Sequence, residues 1–77
     1  GFMDMAFYWT LGNNVRAYRM QMGMTQEMLA EKAQISTKGL QKVEAGKSGM
    51  RIDTFIQISE ALRVSMDALA AGGGRMK

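Results

Sequence analysis

Apolar residues return at helical spacing along most of the chain. Leu11, Val15, Tyr18 and Met22 fall at i, i+4, i+7 and i+11, one face of a helix. Leu29, Ala30 and Ala33 give a second, shorter stripe, and Leu40 with Val43 a third. Ile52, Phe55, Ile58 or Ser59, and Leu62 mark a fourth helix, and Leu69 returns to the core from a short last one, Met66 to Ala70. No stretch alternates apolar and polar residues as a half-buried strand does. The pattern predicts an all-α chain of five helices with short connections.

Punctuation residues place the ends. Asp4 is positioned as an N-cap for the first helix, Thr25 for the second, Ser36 for the third and Ser65 for the fifth. Gly23 and Gly46 stand where a helix closes on a left-handed residue. Glu27 complements the dipole at the start of the second helix. Gly12, Asn13 and Asn14 are poor helix formers and mark a weak point in the first helix. The chain divides into an N-terminal extension, 1–10, that runs into the first helix, a helix-turn-helix domain, 11–71, and a flexible tail, 72–77, that opens with Gly72, Gly73 and Gly74.

The stretch from Thr25 to Gly46 is a helix, a tight turn (Ala33 to Ser36, with Ile35 turned inward) and a second helix. At about 100° per residue, Leu40 and Val43 point to one side of that second helix. Thr37, Lys38, Gln41 and Lys42 point to the other. Such a face is either ordinary solvated surface or a row of donors for base edges and phosphates. Charge bears on the choice. Lys38, Lys42, Lys47 and Arg51 lie between Ser36 and Arg51 against Glu44 alone, so this end of the motif is locally positive. The whole chain is mildly basic, net +3, which permits a polyanionic partner without requiring one.

Composition removes other classes. The 77 residues suffice for one domain, and a domain this small buries only about 60% of its unfolded surface. There is no Cys and no His, so no disulfide, no cofactor and no metal site are expected. A second copy of the chain is the expected source of extra stability. Without a His base, a Cys nucleophile or a paired set of acids, an enzyme is the weakest class. Gly46, Lys47 and Ser48 resemble the end of a phosphate-binding loop, but Gln41 stands where that motif needs its first Gly. No segment is long and apolar enough to span a membrane, and no secretory signal is visible, so the cytoplasm, in association with the nucleoid, is the expected location. Gly1 and Phe2 precede the first Met.

Two groups stay open at this level. Phe7, Tyr8 and Trp9 either close one end of the core or form a dimer surface. Met22, Met24, Met28 and Met66, four of nine methionines, either fill gaps at the core's edge or line a groove for a partner helix. Arg19 and Glu44 come to the flank of one contact if the third helix packs on the first; they are then a tie between those helices or two unconnected charges.

Taken together, the segments LGNNVRAYRMQMGMTQEMLAEKAQIS, LQKVEAGK and FIQISEALRVSMDAL resemble the Cro/CI-type, or XRE-like, helix-turn-helix family, over Leu11 to about Leu69. The resemblance implies a five-helix, lambda-repressor-like DNA-binding domain. Its function would be that of a sequence-specific transcriptional regulator, a repressor acting as a homodimer on a near-palindromic operator in double-stranded DNA. No small-molecule effector is expected. By the same resemblance the third helix enters the major groove. Thr37, Lys38, Gln41 and Lys42 are the expected base-edge contacts. Thr25, Gln26, Ser36, Lys47, Ser48 and Arg51 are the expected phosphate contacts, and Arg19 with Glu44 the structural ion pair. The chain departs from the family at Gln34 and Arg63, where Gly is frequent, and at Met50, where Pro is common; the first two imply left-handed backbone on residues that seldom adopt it. The alternative is a protein-interaction module of the same fold, antitoxin-like, with little DNA readout.

Overall fold

The computed structural model describes residues 5–47 and 49–71. Asp4 as a cap, Ser48 as a phosphate contact and the tail, 72–77, lie outside the described residues. Five α-helices follow one another: α1 (Met5–Gln21), α2 (Gln26–Ala33), α3 (Thr37–Ala45), α4 (Ile52–Leu62) and α5 (Met66–Ala70). Among the described residues there is no strand. α1 packs on α3 and α5, while α2 packs on α3 and α4. The shared core is Leu11, Val15, Met24, Leu29, Ala30, Ala33, Leu40, Val43, Ile58, Ala61, Leu62 and Leu69, with Phe7, Tyr18, Ile35, Met50, Phe55 and Val64 packed on its edge.

The starts of α2, α3 and α5 follow from side-chain caps, while Arg51 before α4 makes none. Thr25 Oγ1 accepts from Met28 N at 3.1 Å, Ser36 Oγ from Gly39 N at 2.9 Å and Ser65 Oγ from Ala68 N at 3.0 Å. Each satisfies one backbone donor that the first turn leaves orphaned. α1 to α4 close on left-handed residues, whereas α5 ends on Ala71 in extended backbone. Two of these are not glycine: Gln34 has φ 62° and Arg63 φ 61°. In both places the residue's own N–H and that of the residue after it reach back to the helix carbonyls. Gln34 N bonds Glu31 O and Ile35 N bonds Ala30 O; Arg63 N bonds Glu60 O and Val64 N bonds Ser59 O. The closing motif is therefore complete although the residue is not the usual one.

α1 differs from its expected form. It runs unbroken through Gly12, Asn13 and Asn14. Gly12 is there because α3 crosses close by: a Cβ at this position would lie 2.3 Å from the Val43 carbonyl oxygen. Asn14 uses its amide to cap another helix, donating to Leu69 O at 2.7 Å and to Ala71 O at 2.8 Å. Local propensity predicted a weak point, and tertiary contacts override it. Met22, placed on the α1 stripe by periodicity, falls beyond the helix end and is exposed. Ile52, read as an inward position of α4, is 65% exposed because it is the first residue of the helix and overhangs the core. Ile35 is half-buried against the core's edge.

Candidate nucleic-acid interface

α3 has two chemically distinct sides. Leu40, Val43 and Glu44 are buried. Lys38, Gln41 and Lys42 are exposed and Thr37 is partly so. Glu44 is the one acid in the helix, and it is turned inward. The outward face therefore carries two ammonium groups and no carboxylate of its own.

The inward acid holds the helix in place. Arg19, on α1, donates to Glu44 through Nε at 2.7 Å and through Nη2 at 3.0 Å, a two-pronged pair. The Glu44 side chain is 3% exposed and that of Arg19 12%. The hydrogen bond to Glu44 is the chief reason that the Arg19 guanidinium is raised above its ordinary value; burial opposes it, and the charges of Glu44 and Glu27 add to it. Arg19 Nη1 also donates to Met24 O at 2.9 Å. Gln26, on α2, donates its amide to Glu44 Oε1 at 3.1 Å, and Gln41 donates to Gln26 Oε1 at 3.5 Å. One carboxylate thus gathers α1, α2 and α3. Among the described residues no buried side-chain N or O lacks a partner, which is what a buried charge needs if it is not to destabilise the fold.

α3 is fixed at its C-terminal end by Gly46, with φ 68°. A Cβ there would stand 2.7 Å from the Trp9 Cα, so both the backbone conformation and the closeness of α1 require glycine.

Two shallow concavities flank α3. One, of about 290 Å³, is lined by Arg16, Arg19, Gln26, Gln41, Glu44 and Ala45. The other, of about 330 Å³, includes Ser36, Lys42, Met50, Arg51 and Thr54. Gln26 and Gln41 are therefore neighbours on one flank, while Ser36, Lys42 and Arg51 share the other. Thr25, Thr37, Lys38 and Lys47 lie in neither depression, and Lys38 and Lys47 are exposed. Arg51 Nε donates to Asp53 Oδ1 at 3.3 Å, with both side chains largely in solvent, so this pair competes only weakly with another anion. The Thr25 and Ser36 hydroxyls accept from the backbone as caps, and each keeps its own proton to donate.

Gly12, Gly46 and Asn14 are positioning residues that the sequence offered only as poor helix formers or as a cap. Phe7 and Tyr8 meet edge to face, ring centres 5.7 Å apart, and Phe7 packs on the core. Trp9 is 61% exposed, so the aromatic cluster closes the core with one member and presents another to solvent. Of the four methionines, Met24 is buried, whereas Met22, Met28 and Met66 are exposed. Among the described residues no group of His, Cys, Asp and Glu is arranged to hold a metal ion, and no helix is long and apolar enough to cross a membrane.

Residues 15–69 match the HTH_3 family, described as helix-turn-helix. No curated protein matches the sequence significantly. Among solved structures, an HTH_3 family transcriptional regulator from Vibrio cholerae superposes with a TM-score of 0.81 at 25% identity, over 87% of this chain and 38% of that one. The clp gene regulator ClgR from C. glutamicum gives 0.75 at 25% identity, over 82% of each chain. The restriction-modification controller protein C.AhdI from Aeromonas hydrophila gives 0.77 at 22% identity, over 80% of this chain and 94% of that one, a likeness of fold. With the five-helix architecture and the match across α1 to α5, the chain belongs to the HTH_3, or XRE-like, helix-turn-helix family of DNA-binding transcriptional regulators.

Proposed function

We propose that this protein reads a specific sequence in double-stranded DNA through the outer face of α3, and acts as a homodimeric repressor on a near-palindromic operator. The observation that carries the reading is the division of α3: its acid is buried and neutralised by Arg19, and its open face is cationic and amide-bearing. Lys38 and Lys42 donate to guanine O6 and N7, Gln41 pairs with adenine, and the Thr37 methyl meets a thymine methyl.

Backbone contacts set affinity and register. The α2 N-terminus, beside Thr25 and Gln26, directs free N–H groups at a phosphate. One proton of the Gln26 amide goes to Glu44 and the second is available to that phosphate. Ser36, Lys47, Ser48 and Arg51, with Arg16 at the α1 flank, supply the remaining phosphate contacts, which neutralise charge without reading sequence. A two-fold dimer sets its reading helices roughly 34–36 Å apart, one turn of the duplex. The small core and the exposed Trp9, Ile52 and Ile56 support association with a second copy.

Selection of bound sites from a random DNA pool, followed by titration at two salt concentrations, tests the proposal. The expected product is a two-fold-related pair of half-sites. A pool that emerges unenriched sinks the sequence-specific reading, and an enriched site with no internal symmetry sinks the homodimer.

A further inference from the structure

The loop between α1 and α2 carries a chemistry that DNA reading does not use. The end of α1 and the loop after it read Met20-Gln21-Met22-Gly23-Met24, with Met28 in the first turn of α2. Met22, Met24 and Met28 line a single open groove of about 520 Å³, together with Glu31 and Lys32. Met24 is 9% exposed and serves the core, but Met22 is 46% and Met28 50% exposed. Core filling thus accounts for one of the three. Each thioether sulfur is a soft, uncharged donor, and such donors select Cu(I) over the hard divalent cations.

The backbone that carries these side chains is fixed. Met22 N bonds Tyr18 O, Gly23 N bonds Met20 O and Met24 N bonds Arg19 O, which closes α1 in a tight left-handed turn at Gly23. Met24 O is in turn held by Arg19 Nη1, and Met28 N by the Thr25 hydroxyl. The three methionines therefore leave a rigid frame on long, adaptable side chains, which suits the two- to four-coordinate, geometrically tolerant Cu(I) ion. Glu31 and Lys32 on the rim offset one another, so the sulfurs and not net charge decide what binds.

We propose that Met22, Met24 and Met28 form a thioether site for a soft monovalent metal ion, Cu(I), on the side of α2 that leads from α1. The site is independent of the DNA reading and is tested without DNA. The purified full chain, under anaerobic reducing conditions, competes for Cu(I) with bicinchoninate while methionine methyl resonances are followed by NMR. The expected result is one Cu(I) per chain, with the methyl groups of Met22, Met24 and Met28 shifted and that of Met66 unmoved. The double variant Met22→Leu with Met28→Leu keeps apolar volume and the buried Met24. Its affinity for Cu(I) should fall by at least about 100-fold, since even groups standing behind metal ligands are worth about 10–100-fold. Failure to draw Cu(I) from the chelator overturns the site. So does equal movement of the Met5, Met20 and Met66 methyls, or binding by the double variant as tight as the parent's. The methyl shifts are read on the parent chain, so the outcome does not depend on the variant folding.

Discussion

The two sides of α3 obey different rules. On the inner side almost nothing is free to vary. Gly12 admits the Val43 carbonyl, Gly46 admits the α1 backbone, and Glu44 is held by Arg19 and Gln26 within about one hydrogen-bond length. On the outer side Lys38, Gln41 and Lys42 stand in solvent, and only Gln41 has a hydrogen bond described, a long one to Gln26. A helix built this way separates position from preference. The inner contacts set where the helix sits, and the outer side chains can be exchanged for others without refolding the domain.

The largest effect is expected on the inner side. Glu44→Ala leaves the Arg19 guanidinium largely buried without its partner and should destabilise by about 3–5 kcal/mol, read as a drop in denaturation midpoint. A variant as stable as the parent would mean that the pair contributes nothing. Gly12→Ala comes next. Its methyl meets backbone oxygen, not a yielding side chain, so α1 and α3 must separate at a cost of about 1–3 kcal/mol or more. In an isolated helix the same change would stabilise, so the sign of the effect shows which influence dominates.

On the outer side the order reverses, with function moving and stability staying still. Lys42→Ala and Lys38→Ala should leave the midpoint within about 0.5 kcal/mol of the parent, as surface changes do. Each should relax preference at one base position by about 1–3 kcal/mol. Uniform weakening on all sequences would reassign that lysine to a phosphate. Lys47→Ala should reduce the salt slope of binding by about one without altering sequence preference. The smallest effect is at the turn. Gln34→Gly relieves a left-handed glutamine and should stabilise by up to about 1 kcal/mol, the net of the strain removed and the freedom added to the unfolded chain. A clear loss of stability would show that the Gln34 side chain holds the turn by a contact of its own.

How far the sequence could be read follows the same division. Caps and stripes are local, so Thr25, Ser36, Ser65 and the five helices were legible, and so was the outer face of α3, which needs only 100° per residue. The left-handed Gln34 and Arg63 were legible through the family resemblance, as positions where glycine is usual. Spacing alone left Arg19 and Glu44 either tied or unconnected; the resemblance pointed to the pair. Gly12 and Asn14 are weak helix formers by propensity, yet α1 runs through them unbroken. Their reasons lie in partners far along the chain, the Val43 carbonyl and the carbonyls of Leu69 and Ala71, and no local pattern encodes a contact of that range. Periodicity puts Met22 on the α1 stripe because it carries no mark of where the helix stops, at Gln21.

The central claim is that the outer face of α3 reads sequence while its inner face only holds it. The most direct test is a paired titration of the parent and Lys42→Ala against the selected DNA site and a scrambled one, at fixed salt, with both denaturation midpoints measured alongside. The account predicts that the parent prefers its site and that the variant, equally stable, loses about 1–3 kcal/mol of that preference. A parent that binds both DNAs alike, or neither at low salt, contradicts it.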